Sequence, residues 1–170
     1  RVRARQTINV EIPGGVETGN RIQLAGRGEV GPGGGPAGDL YVEIIQREHE
    51  YLVRDGETLH LALSIPFTAA ALGTKAKIDT LDGEEEIEIK AGIQSGSKIA
   101  LKNRGVTRLR GSGRGDLIVH IEVVTPTKLS KEEAELLRKF ASLRGESGDT
   151  SSVKKDDGSI MAKLRGALKF

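Results

Sequence analysis

Three histidines (His49, His60 and His120), two aspartates in matching Gly-Asp-Leu triplets (Asp39 and Asp116) and four crowded arginines (Arg104, Arg108, Arg110 and Arg114) are the residues here that could do chemistry. Paired carboxylates suit general acid-base work. Each aspartate opens a strand pattern, however, where such a residue commonly bonds nearby backbone amides to fix a turn, so both are expected to be structural. The histidines stand at no recognised metal-ligand spacing, and with no cysteine in the chain a zinc ion would need carboxylates that do not cluster. No Ser or Thr lies in a nucleophile elbow. No catalytic residue and no metal ligand is assigned.

Two further stretches invite chemistry. The glycine-rich run from Gly31 to Gly38, GPGGGPAG, could cradle a phosphate, but a strand pattern follows it rather than the helix that phosphate loops open. A hairpin loop is expected. The arginine cluster, with Lys98 and Lys102 just before it, can hold phosphates or an acidic peptide tail, or simply be a solvated loop. Aromatic residues are 3% of the chain and the net charge is +2, which disfavours a stacking platform for single-stranded nucleic acid.

What must position these groups is a duplicated β scaffold. Gly15 to Gly28 (GVETGNRIQLAGRG) returns as Gly92 to Gly105 (GIQSGSKIALKNRG), an offset of 77 positions. Gly38-Asp39-Leu40 returns as Gly115-Asp116-Leu117 at the same offset, and Val42 and Ile44 match Val119 and Ile121. Such a repeat predicts two similar modules, and matching modules suit repeated contacts with a long partner. Thr7–Ile12, Arg21–Leu24, Asp39–Ile44, Thr58–Ile65, Lys75–Asp79 and Glu84–Lys90 alternate as strands, which gives a mostly antiparallel β chain. His49 to Gly56 reads as a turn-containing connection, and Phe67 to Leu72 as one or two helical turns. Ser130 with Glu133 makes a capping box for an amphipathic helix over 131–143. Gly145 to Gly158 reads as a polar linker, and Ile160 to Phe170 as a basic amphipathic tail.

Apolar residues are 36% and charged residues 29%, with no Trp, so the cores must rest on Ile, Leu and Val. No run reaches the length of a membrane span. The lack of cysteine rules out disulfides within the chain and fits a reducing cytoplasm. A strand pattern entered in the first dozen residues suggests a piece of a longer protein, with the first module lacking its leading strands.

The motifs IPGGVETGNRIQLAGRGEVGPGGGPAGDLYVEI, LSIPFTAAALGTKAKIDTLDG, IKAGIQSGSKIALKNRG and RGSGRGDLIVHIEVVTPTKLSKEEAELLRKFA closely resemble the C-terminal substrate-binding region of bacterial J-domain co-chaperones (DnaJ) over about residues 1–145. The resemblance implies a mainly β fold. It comprises two consecutive β-sandwich modules, the first truncated (1–46) and the second complete (47–126), then a helix at 127–145 and a tail at 146–170. It implies a non-enzymatic fragment that binds unfolded client polypeptides for transfer to the DnaK-type heat-shock ATPase. Zinc is expected only in a cysteine-rich module absent from this chain. Carried over by position, the resemblance assigns client binding to Ile8, Val10, Arg21 and Leu52 in and beside the first module; a related surface on the second module is expected at Leu61, Leu63 and Ile87. It assigns homodimerisation to Leu136, Leu137 and Phe140. Core packing is a rival reading for the strand residues. Two other readings stand beside this one: a structural, dimerising β module, and a basic-loop binder of acidic tails or nucleic acid.

Overall fold

The computed structural model describes residues 7–146. The linker and tail expected beyond Glu146 lie outside them. The chain divides into two compact units, Arg1–Thr125 and Pro126–Phe170.

Among the described residues the first unit holds eight strands, a short helix and a 3-10 turn at Pro32–Gly34: β1 (Arg21–Leu24), β2 (Leu40–Glu43), β3 (Leu52–Asp55), β4 (Thr58–Pro66), α1 (Phe67–Leu72), β5 (Thr74–Thr80), β6 (Gly83–Ile89), β7 (Lys98–Leu101) and β8 (Leu117–Val124). β1 and β2 pair with each other, β5 and β6 form a hairpin, and β3-β4-β8-β7 form a four-stranded sheet. Alternation along β4 and β8 buries Leu59, Leu61, Ile65, Leu117, Val119 and Ile121, which join Ile78, Ile87 and Ile89 of the hairpin and Ala70 of α1 in one core. Each such Leu, Ile or Val contributes roughly 1.5–3 kcal/mol of burial. All of these residues belong to the second module.

The duplication is carried into the hydrogen bonds. Arg21 faces Glu43 in the β1–β2 pair as Lys98 faces His120 in the β7–β8 pair, 77 residues on in both strands. The loops close alike: Gly28 N–H donates to the Gly38 carbonyl at 2.7 Å, and Gly105 N–H to the Gly115 carbonyl at 2.8 Å. Isolated bridges Val30–Ala37 and Thr107–Arg114 repeat at the same offset. Gly26 has a positive φ of 66°, and its counterpart Asn103 takes φ 59°, as asparagine tolerates.

The structure refines the mostly antiparallel reading in one place and differs from the sequence reading in two. β4 and β8 run parallel, with Ala62 beside His120. Leu52–Asp55, read as a connection, is a strand that returns through Gly56 and Glu57 to pair with β4. Thr7–Ile12, read as a strand, is not one; its counterpart β6 is held by β5, whereas no strand pairs with 7–12 among the described residues.

In the second unit, α2 (Lys131–Leu143) starts at the expected capping box. The Ser130 hydroxyl accepts from Glu133 N–H at 3.2 Å, and the Glu133 carboxylate accepts from Ser130 N–H at 2.7 Å.

Candidate functional site

The residues assigned to client contact separate into two groups. Ile8 and Val10 are half-buried between exposed neighbours, and Leu63 is half-buried against the core. Arg21 is exposed and pairs across the β1–β2 hairpin with Glu43 at 3.4 Å, a surface ion pair that contributes little. Leu52, Leu61 and Ile87 are 5%, 8% and 4% exposed and fill the core. The assignment of Leu61 and Ile87 to a binding surface is corrected: alternation faithfully marks one side of each strand, and here that side is covered; Leu52, equally buried, also edges a cleft at the module junction. On α2, Leu136 and Phe140 are 62% and 51% exposed, and Leu137 is half-buried.

The two modules meet at Arg54 of β3. Its side chain is 14% exposed, and the guanidinium donates to acceptors on both sides of the junction. Nη1 reaches the Val16 carbonyl at 2.7 Å and Gln46 Oε1 at 2.9 Å. Nη2 reaches the Gly15 carbonyl at 2.9 Å and Glu17 Oε1 at 3.2 Å, while Nε reaches the Gly56 carbonyl at 2.7 Å. The first module's turn lies hard against the second: at Gly15, whose φ is +86°, a Cβ would collide with the Thr107 carbonyl. Beside this junction opens a cleft of about 680 Å³, floored by Leu52, Leu59 and Val106 with exposed Leu81 on its wall. The sequence offered no sign of it, because its lining comes from separated segments.

The polar groups are mostly spoken for. Asp39 accepts from Gly26 N–H and the Gln23 amide; these bonds, the backbone one foremost, hold its carboxyl below the usual carboxylate range. Asp116 accepts from Asn103 N–H at 3.0 Å, the equivalent bond. Both aspartates fix turns, as expected. Arg114 grips Asp82 with two bonds of 2.7 Å, and that hydrogen bonding, with the charges of Arg114 and Arg104, lowers the Asp82 pKa against a smaller opposing effect of desolvation. Arg104 pairs with Glu85 at 2.7 Å and Arg108 with Glu57 at 3.0 Å. Three of the four clustered arginines are thus tied to carboxylates, which leaves the basic-loop reading little free charge. Two of the histidines make a contact that sequence spacing does not show. His60 and His120, apparently unpartnered in sequence, meet across β4 and β8 with Nδ1 and Nε2 2.9 Å apart.

Among the described residues these groups form no nucleophile-base pair, and no cluster of three or more His, Asp or Glu is placed to hold a metal ion. No helix among them is long and apolar enough to cross a membrane. What the fold presents is a doubled β scaffold with half-buried apolar margins. The DnaJ C-terminal domain model matches residues 1–126, both modules together, and the chain belongs to that family. It is 56% identical over 168 residues to the chaperone protein DnaJ 2 of Streptomyces avermitilis, covering 99% of this chain and 44% of that protein. The chaperone protein DnaJ 2 of Streptomyces coelicolor is similar to the same extent. That of Mycobacterium tuberculosis is 48% identical over 167 residues, 97% of this chain and 44% of the relative. The chain therefore spans less than half the length of these relatives.

Proposed function

We propose that this chain is the client-binding portion of a J-domain co-chaperone of the cytoplasm, holding unfolded polypeptides for delivery to a DnaK-type ATPase and catalysing no reaction itself. The observation that carries the reading is the family match across both modules, residues 1–126, joined to relatives named as DnaJ chaperones at 56% identity. The residue chemistry agrees with it. Ile8, Val10 and Leu63 offer partly accessible apolar surface, Arg21 adds an exposed cation beside the first module, and no convergent catalytic set competes. Two weak surfaces on one scaffold, doubled in a homodimer through α2, would hold a long client by avidity where neither would alone. Holding of this kind needs no cofactor from these residues; zinc belongs to the cysteine-rich module expected elsewhere in the full-length protein.

The test is binding of a permanently unfolded, fluorescently labelled polypeptide to the wild-type chain and to the Ile8→Ser/Val10→Ser and Leu63→Ser variants. Loss of an apolar contact of about 1.4 kcal/mol weakens binding about tenfold, and a drop of that size is expected for the double variant. Undiminished binding by a well-folded double variant would remove Ile8 and Val10 from the site.

A further inference from the structure

We propose that His60 and His120 form a two-imidazole site for a divalent transition cation of the Cu(II) or Ni(II) class. The site lies on the face of the four-stranded sheet turned away from the core.

The strands put the two rings there. Leu59, Leu61 and Ile65 of β4 and Leu117, Val119 and Ile121 of β8 point into the core. The intervening residues His60, Ala62, Ser64, Ile118, His120 and Glu122 therefore line the other face. In the parallel register His60 stands beside Ile118 and His120 beside Ala62, so the imidazoles sit on a diagonal and lean together over the seam. Both are half-buried, while Ala62 and Ala100 around them are small and exposed, which leaves room for an ion and its water.

The donor type narrows the cation. His60 Nδ1 and His120 Nε2 are 2.9 Å apart. That is the length of one hydrogen bond and also close to the separation of neighbouring nitrogens in a metal's shell, so ring rotation can bring both onto one ion; imidazole donors suit Cu and Ni, and Cu(II) binds most tightly of the divalent first-row series. Square and tetragonal shells of nitrogen and oxygen belong to Cu(II) and Ni(II). Without metal the contact is a single hydrogen bond, one neutral ring donating and the other accepting. The ring centroids are 5.2 Å apart and the planes tilt by 43°, so the nitrogens lie nearly on the line between rings. To chelate, both rings turn off that line, and the donating ring moves its proton to its other nitrogen, with no net proton released.

The surrounding charges are balanced. Glu122 lies two residues past His120 on the same face, where its carboxylate accepts from the Ser64 hydroxyl at 3.2 Å and is the nearest anion along the strand. Lys98 stands across from His120 on β7 with the opposite charge. Because no third histidine or clustered carboxylate joins the pair among the described residues, water completes the shell.

The proposal stands apart from client binding and is tested by titrating the chain with Cu(II), reading affinity by calorimetry and bound nitrogens by pulsed electron paramagnetic resonance. One ion per chain with two imidazole nitrogens is expected. His60→Ala and His120→Ala should each leave one nitrogen and weaken binding by more than the tenfold or so that loss of an outer-shell partner costs, while His49→Ala changes neither readout. If alanine loosens the sheet, His60→Gln and His120→Gln keep a polar side chain in place without an imidazole, and the same losses are expected. A wild-type spectrum with one nitrogen, or variants that keep two nitrogens and full affinity, would overturn the site.

Discussion

Arg54 does in one side chain what the short contact between modules could not do by apolar packing alone. Its fork satisfies donors against three segments, Gly15–Glu17, Gln46 and Gly56, and hydrogen bonds from a charged group to such acceptors contribute about 1.5–3 kcal/mol each at most. Arg54→Lys should therefore destabilise the chain by about 2 kcal/mol in urea denaturation, nearly as much as Arg54→Ala, because a lysine cannot reproduce the planar fork. A lysine variant as stable as wild type would show that the charge alone matters. None of this could be read from sequence, where Arg54 is one cation in an expected connection. The turn aspartates Asp39 and Asp116 were legible because their partners are local. Leu52, Leu61 and Ile87 were only half legible, since alternation separates two faces of a strand without saying which one is covered.

At the scale of elements, α2 is the best-read part of the chain, because a capping box and 3.6-residue periodicity are both written within a few residues of where they act. Its cap also titrates. The bond from Ser130 N–H, with a second contribution from the Ser130 hydroxyl, holds the Glu133 carboxyl below its ordinary value. A group with a lowered folded-state pKa stabilises above its unfolded value and loses that contribution as pH falls through the folded one. Helix content by circular dichroism should thus decline as pH drops below about 4; Ser130→Ala should cost about 1 kcal/mol at neutral pH but keeps the backbone N–H that holds the carboxylate, whereas Glu133→Gln, which removes the titrating group, should flatten that acid response. An unchanged acid response in the glutamine variant would separate Glu133 from the cap. The parallel β4–β8 pairing was illegible for the opposite reason. Its partners are 58 residues apart in register, Leu59 with Leu117, and periodicity names a face, never a distant neighbour.

For the molecule as a whole, the repeat and the family motifs gave the architecture, a shortened first module included, while the uneven burial of the two modules emerged only in three dimensions. The buried core belongs to the second module; in the first, Ile22, Leu24, Val42 and Ile44 are half-buried. On α2, Leu136, Phe140 and Leu143 together expose an apolar stripe of the kind that marks an interaction surface. Leu136→Ser combined with Phe140→Ser should convert a dimer to a monomer in light scattering; a wild-type chain that is already monomeric at every concentration would refute the helix as a dimer contact.

The identical register of the β1–β2 and β7–β8 hairpins has one more effect, on how the chain reaches this state. A backbone ladder carries no label, so during folding β7 can close on β2 with the same hydrogen bonds it makes to β8. Loop length and side chains sort the two outcomes: the segment from β7 to β8 is much shorter than that from β2 to β7, and Val119 and Ile121 reach the core from β8, whereas Val42 and Ile44 at the matching positions stop half-way. A tandem repeat of this kind carries its own wrong partner, and the shorter loop and deeper core of the second module are what make the right one win.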